Sequence, residues 1–185
     1  MTAQPVPIPT VEEYFALEEE SDVRHEYFDG LIEAMAGASD AHEIIAGNLF
    51  ATLHTHLRGK PCRPFKGDLK LRVRFDDHDW FYYPDLMVAC DPEDNARLYR
   101  ERPLLLGEVM SEYKGRDLVE KYLAYQRIPS LEEYVVLSQD FTAPEVRIFR
   151  RADDWRFGEV HRDPAESFTL RSIGLTLTLG DLYAA

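Results

Sequence analysis

Two acidic residues stand where the chain otherwise demands burial, and they limit its possible folds more than any other feature. Asp85 lies in Tyr83-Pro84-Asp85-Leu86-Met87-Val88, and Glu108 in Leu105-Leu106-Gly107-Glu108-Val109-Met110; both runs are apolar and of strand length. A carboxylate buried without a partner is costly, because desolvation disfavours its charged form. Such a group persists when a basic side chain or a metal ion neutralises it. Pairing with arginine or lysine at a strand end accounts for either residue taken singly. The two together say more: neighbouring strands lie roughly 5 Å apart, so carboxylates on adjacent strands can share one hard cation through oxygen ligands.

The surrounding sequence predicts a mixed sheet flanked by helices, an α/β chain of the α+β kind. Residues 1–9 read as an extended tail and 10–185 as a single domain. Thr10-Val11-Glu12-Glu13 matches a capping box and predicts a helix to about Glu20. Asp29-Gly30, between His25-Glu26-Tyr27-Phe28 and Leu31-Ile32-Glu33-Ala34-Met35, predicts a hairpin with positive φ at both turn positions. A helix over 41–57 carries Ile45, Leu49, Leu53 and Leu57 on one stripe, widened by Ile44 and Phe50. Next, Leu69, Leu71 and Val73 alternate with Lys70, Arg72 and Arg74, predicting a strand with one inward and one basic face. Strands are expected over 81–89 and 103–110, the second apolar enough to be central. A helix over 117–127 stops at Ile128-Pro129. Later strands are expected over 133–137, 145–149, 155–160 and 175–177, with a short helix over 179–183.

Taken in order, Asp29-Gly30 followed by the helix that carries His42, then Tyr83-Pro84-Asp85, Leu105-Leu106-Gly107-Glu108-Val109-Met110-Ser111, Glu120-Lys121 and Ile128-Pro129-Ser130-Leu131-Glu132-Glu133-Tyr134 resemble the Uma-type putative restriction endonuclease family. That family belongs to the PD-(D/E)xK nuclease superfamily, and the resemblance runs from about Thr10 to Leu182. It implies a restriction-endonuclease-like core with flanking helices. It also implies dependence on Mg²⁺, with Mn²⁺ as a substitute, and hydrolysis of phosphodiester bonds in DNA. Asp85 and Glu108 would be the metal ligands. The superfamily pattern places a lysine two residues beyond the acid, on the same strand face, where this chain has Met110. Lys121, on the following helix, is the natural substitute and completes the expected catalytic set; Lys114 is the runner-up. His42 and Glu43 come from a region that sometimes lends the site an acid. Helix capping is the favoured reading there, since Glu43 lies three residues after Asp40. Ser111 would hydrogen-bond a phosphate oxygen or merely end its strand. Lys70, Arg72 and Arg74 would form either a phosphate-facing stripe or a solvated face.

The net charge of −13 weighs against a nucleic-acid binder, which ordinarily neutralises phosphates with a basic surface. The acid is uneven: Glu12 to Glu26 is rich in carboxylates, whereas Lys60, Arg63, Lys66, Lys70, Arg72 and Arg74 crowd one central stretch. Charge and Met110 together keep open a catalytically degenerate nuclease fold that serves as a binding or oligomerisation module. A metal-dependent hydrolase of small phosphoesters is the third reading. Cys62 and Cys90 have no metal spacing and suggest no disulfide framework. No apolar run is long enough to cross a bilayer and no leader pattern opens the chain, so a cytoplasmic protein without membrane contact is expected. Oligomeric state stays open; in a homodimer, Trp80, Tyr82 or Tyr99, read as exposed aromatics, could serve the interface.

Overall fold

The computed structural model describes residues 8–110, 115–156 and 158–184. In chain order it runs α1 (Val11–Glu20), β1 (His25–Phe28), β2 (Leu31–Ala34), α2 (Asp40–Leu57), β3 (Arg63–Lys66), β4 (Lys70–Phe75), β5 (His78–Tyr82), β6 (Leu86–Ala89), β7 (Tyr99–Arg100), β8 (Pro103–Met110), α3 (Gly115–Tyr125), β9 (Glu133–Ser138), β10 (Val146–Arg150), β11 (Glu159–His161), β12 (Ser167–Leu170), β13 (Leu175–Thr178) and α4 (Leu179–Leu182). The fold is α+β. A six-stranded sheet has the order β11-β10-β9-β8-β6-β3, and a five-stranded sheet the order β2-β1-β5-β4-β7; β12 and β13 pair separately. In the larger sheet β8 runs parallel to β9 and antiparallel to β6. Of the tail expected at 1–9, residues 1–7 lie outside the described residues.

Local chemistry explains the N-terminal elements. The Thr10 hydroxyl accepts from the Glu13 N–H while the Glu13 carboxylate accepts from the Thr10 N–H, which closes the capping box of α1. Asp29 and Gly30 have φ of 47° and 89°, the left-handed pair that joins β1 to β2 without splaying them.

Strand β8 is buried on both faces, and its alternation divides the interior. Leu105 and Val109 pack with Ile45, Leu49 and Leu53 of α2, whereas Leu106 packs with Tyr125 of α3 and Tyr134 of β9. Glu108 therefore shares its face with Leu106 and points to the α3 side. On α2 the apolar stripe is narrower than expected: Ile44 is exposed, and Ala46 fills the core in its place.

Other expectations are corrected. The strand expected over 81–89 is two strands in two sheets, broken at Tyr83-Pro84-Asp85, because Pro84 has no N–H to give a ladder. Trp155 is not in a strand; it follows Asp154, both have positive φ, and the strand begins at Glu159. Strand β12 carries no signal strong enough to have been anticipated. Tyr82 is fully buried, and Trp80 and Tyr99 are half-buried, so none is the freely exposed aromatic expected for an interface. Cys62 and Cys90 form a disulfide. The β3–β6 register pairs Arg63 with Ala89, which sets the two cysteines opposite each other one step further out. Their spacing in sequence gave no hint of this.

Candidate active site

The break between β5 and β6 places Asp85 immediately before β6. There it lies one step beyond the paired residues Leu86 and Gly107, which makes it the cross-strand neighbour of Glu108. Asp85 Oδ2 takes the place of a ladder carbonyl: it accepts from the Val109 N–H at 2.7 Å. His42 Nε2 lies 3.0 Å from the same oxygen. Across from Asp85, Glu108 Oε1 accepts from the Tyr125 hydroxyl at 2.9 Å. Both carboxylates expected as metal ligands thus come together where two adjacent strands meet.

Lys121 joins them from α3. Its ammonium lies 3.4 Å from Glu108 Oε1 and 3.1 Å from Glu26 Oε1, with the side chain only 4% exposed. Glu26, on β1, is also buried, and its Oε1 accepts from the Tyr83 N–H. Glu26 was not anticipated from sequence. The signal was faint: Tyr27 and Phe28 follow it, but His25 precedes it, so it lacks the apolar run on both sides that singled out Asp85 and Glu108. Tyr125 was likewise anticipated only as part of a helical stripe. Met110, at the usual lysine position, lines the site and packs against the apolar cluster that includes Leu106 and Tyr125.

Of the secondary candidates, His42 and Glu43 both line the site; His42 contacts Asp85, and Glu43 reaches Lys66 at 2.9 Å. Capping of α2 falls to Ser39, whose hydroxyl accepts from the His42 N–H, so the cap expected from Asp40 and Glu43 is corrected by one residue. Lys70 is neither solvated nor part of a phosphate stripe: it is buried, 3.2 Å from Glu18 Oε2. Arg72 is held by Asp79 and Glu101, and Arg74 also reaches Glu101. The basic strand is thus largely neutralised within the chain. Ser111 and Lys114 lie outside the described residues.

The two carboxylates differ in affinity for protons. Burial pushes Glu108 well above the usual carboxylate range; Lys121 opposes this, whereas Asp85 and Glu26 add to it. Burial would raise Asp85 as well, but the His42 hydrogen bond and charge, the Val109 N–H and Lys121 outweigh it and hold Asp85 low. Paired carboxylates whose environments push them apart are a common mark of functional sites.

Asp85, Glu108, His42 and Lys121 share a cavity of about 360 Å³. Among the described residues, no cluster of three or more His, Cys, Asp and Glu could hold a metal ion by protein ligands alone. Mg²⁺ does not require one, since it usually keeps several waters and binds through one or two carboxylates. An oxygen-donor pair in a cavity with room for water, one member made proton-hungry by burial and like charge, fits that chemistry.

A family model described as "Uma2: Putative restriction endonuclease" matches residues 11–180. The chain is 32% identical over 181 residues to the uncharacterized protein slr1290 of Synechocystis sp., a match covering 97% of this chain and 93% of that protein. It is 32% identical over 136 residues to the uncharacterized protein sll1609 of the same organism, covering 71% and 76% respectively. The crystal structure of a putative nuclease belonging to DUF820, from Anabaena variabilis, matches with a TM-score of 0.75 at 19% identity, over 95% of this chain and 98% of that one. At that identity the likeness concerns the fold. Among the described residues, no helix is long and apolar enough to cross a membrane.

Proposed function

The chain belongs to the Uma2 putative restriction endonuclease family, and from that premise we propose that it is a divalent-metal-dependent endonuclease hydrolysing phosphodiester bonds of DNA. The observation that carries the reading is the meeting of Asp85, Glu108 and the Lys121 ammonium in one cavity.

Asp85 and Glu108 are the residues that would hold Mg²⁺ or Mn²⁺. Bound there, the cation would polarise the scissile phosphate and lower the pKa of the attacking water. The remaining roles belong to the chain. Lys121, pinned between Glu26 and Glu108, offers an ammonium to the charge that builds on the phosphate, without reorganising at the moment of reaction. His42 and the Val109 N–H orient Asp85, and Tyr125 orients Glu108. Such contacts to ligating groups tune both geometry and affinity.

The test is nicking of supercoiled plasmid with Mg²⁺ or Mn²⁺, beside Asp85→Ala, Glu108→Ala and Lys121→Ala. Metal-dependent nicking that disappears in the two carboxylate variants supports the reading. A wild type that neither cleaves nor takes up metal by calorimetry overturns it. The second reading, a degenerate fold used for binding, is favoured by Met110 and by the −13 charge; that negative result would leave it standing.

A further inference from the structure

Resting on the nuclease reading, the mouth of the cavity points to how substrate is recognised. Among the described residues, Lys and Arg line the cavity at three places. Lys121 is at the floor, whereas Arg24 and Lys66 are nearer solvent, with side chains 48% and 28% exposed. Both outer cations are set by the segment that carries Asp85. The Arg24 guanidinium sits over the Tyr83 ring, 5.7 Å from its centroid. Lys66 ends β3 directly opposite Leu86. Tyr83 and Leu86 bracket Pro84-Asp85, so one short stretch positions a cation on either side of a metal-ligand carboxylate.

Neither cation is committed to its present partner. Arg24 pairs at 3.6 Å with Asp68, which is 91% exposed, and Lys66 pairs with Glu43, itself more than half exposed. Pairs of this kind contribute little and yield to a better anion. A phosphate offers both the charge and several acceptor oxygens.

Among the described residues, the cavity offers little with which to read a base. Sequence is read by hydrogen bonds to base edges, and unpaired bases stack on aromatic faces. Met35, Ala36, Gly37 and Ala38 form much of the wall. Ser39 and Gln139 hydrogen-bond each other. Of the rings among the described lining residues, Tyr83 is buried, with Arg24 over its ring and its hydroxyl bonded to Glu18, and the His42 imidazole is engaged by Asp85.

We infer that Arg24 and Lys66 form a backbone clamp holding the phosphates on either side of the scissile one, so that the substrate is a nucleic-acid strand recognised through its sugar–phosphate chain and not its base sequence. The clamp also reconciles the acidic chain with an anionic substrate: among the described residues the attraction is concentrated in Arg24, Lys66 and Lys121 at the site, while Lys70 and Arg72 are consumed internally.

The experiment measures binding of two fluorescein-labelled DNA oligonucleotides of equal length and scrambled sequence, by anisotropy across a salt series. Ca²⁺ replaces Mg²⁺, because it fills oxygen sites with looser geometry. Wild type is compared with Arg24→Gln, Lys66→Gln, the double variant and Arg156→Gln, a remote exposed cation; melting curves verify that each is folded. The clamp predicts that both sequences bind alike. It predicts that the slope of log affinity against log salt falls by about 0.7–0.9 for each clamp residue removed, and that Arg156→Gln leaves it unchanged. Wild-type binding with an unaltered slope in both clamp variants, or a marked preference for one sequence, overturns the clamp and leaves the nuclease reading intact. A wild type that binds neither oligonucleotide yet nicks plasmid overturns the clamp alone; one that neither binds them nor nicks plasmid with Mg²⁺ or Mn²⁺ removes the nuclease reading, and the clamp with it.

Discussion

The Lys121 ammonium lies 3.4 Å from Glu108 Oε1, although the two belong to different elements and Met110 holds the same-face strand position two residues beyond Glu108. Leu106, Glu108 and Met110 alternate onto the α3 side of β8, and α3 brings its lysine to that side. On the proposed nuclease reading, Lys121 supplies from the helix the charge that a lysine at the strand position would carry. Lys121→Met should lower cleavage by about 10²–10³-fold, the usual loss for one preorganised donor to developing charge. Adding Met110→Lys to that variant should restore part of the rate, since the strand position faces the same cavity. A double variant no faster than Lys121→Met, at equal folded fraction, would argue against interchangeable positions.

His42 touches Asp85 on the oxygen that also receives the Val109 N–H. Removing it leaves that carboxylate with one orienting partner fewer. His42→Ala is expected to weaken Mn²⁺ binding by about 10–100-fold, as for other residues that orient a metal ligand, read by calorimetry without any turnover. Unchanged Mn²⁺ affinity would confine His42 to a structural role.

Features encoded within a few residues were readable from sequence. The capping box at Thr10 and Glu13 and the Asp29-Gly30 turn each depend on local backbone chemistry, and both appear as expected. Asp85 and Glu108 announced themselves because a lone charge in an apolar run is locally anomalous. What failed was whatever depends on pairing between distant segments. A single run of residues 81–89 looked continuous because each half is apolar; only Pro84 marks the passage between sheets. Lys70 looked like a surface lysine because its partner Glu18 lies on α1. The disulfide follows from β3–β6 register, which no spacing rule reveals.

That disulfide closes a loop between residues 28 apart in sequence and ties edge strand β3 to β6. In the chain-entropy account a loop of this size is worth about 3–4 kcal/mol, chiefly through restriction of the unfolded state. Urea unfolding with and without dithiothreitol should differ by an amount of this order, and Cys62→Ser/Cys90→Ser should behave like the reduced protein. Equal midpoints in both conditions would contradict it.

Glu133 and Arg150 are almost wholly buried and paired at 2.8 Å, and the Glu133 carboxylate also accepts from the N–H groups of Arg171 and Ser172. Glu133→Ala leaves the Arg150 guanidinium with Glu159 and the Thr169 carbonyl but strands two N–H groups, at about 1–3 kcal/mol for each donor left unsatisfied. Because this network lies outside the cavity lining, cleavage per folded molecule should stay unchanged. The comparison is urea unfolding beside initial rates corrected for folded fraction; a rate that falls with full folding would tie the network to the site.

Glu18 gives the fold a defined sensitivity to acid. Its burial alone would raise its pKa, but hydrogen bonds from Tyr83 and His25 and the charge of Lys70 outweigh that and hold it below the ordinary carboxylate value. A carboxylate with a lowered folded-state pKa binds its proton more readily when unfolded. Its stabilisation is therefore complete above the unfolded value of about 4.3 and disappears as the pH falls through the lower, folded-state value. The wild type should accordingly exceed Glu18→Gln in unfolding free energy at neutral pH, with the gap closing only in the acid range below that unfolded value. Chemical unfolding of both proteins across a pH series measures the gap directly. A gap that persists undiminished at the acid end would mean that the glutamate acts through shape and neutral hydrogen bonding, not through its charge.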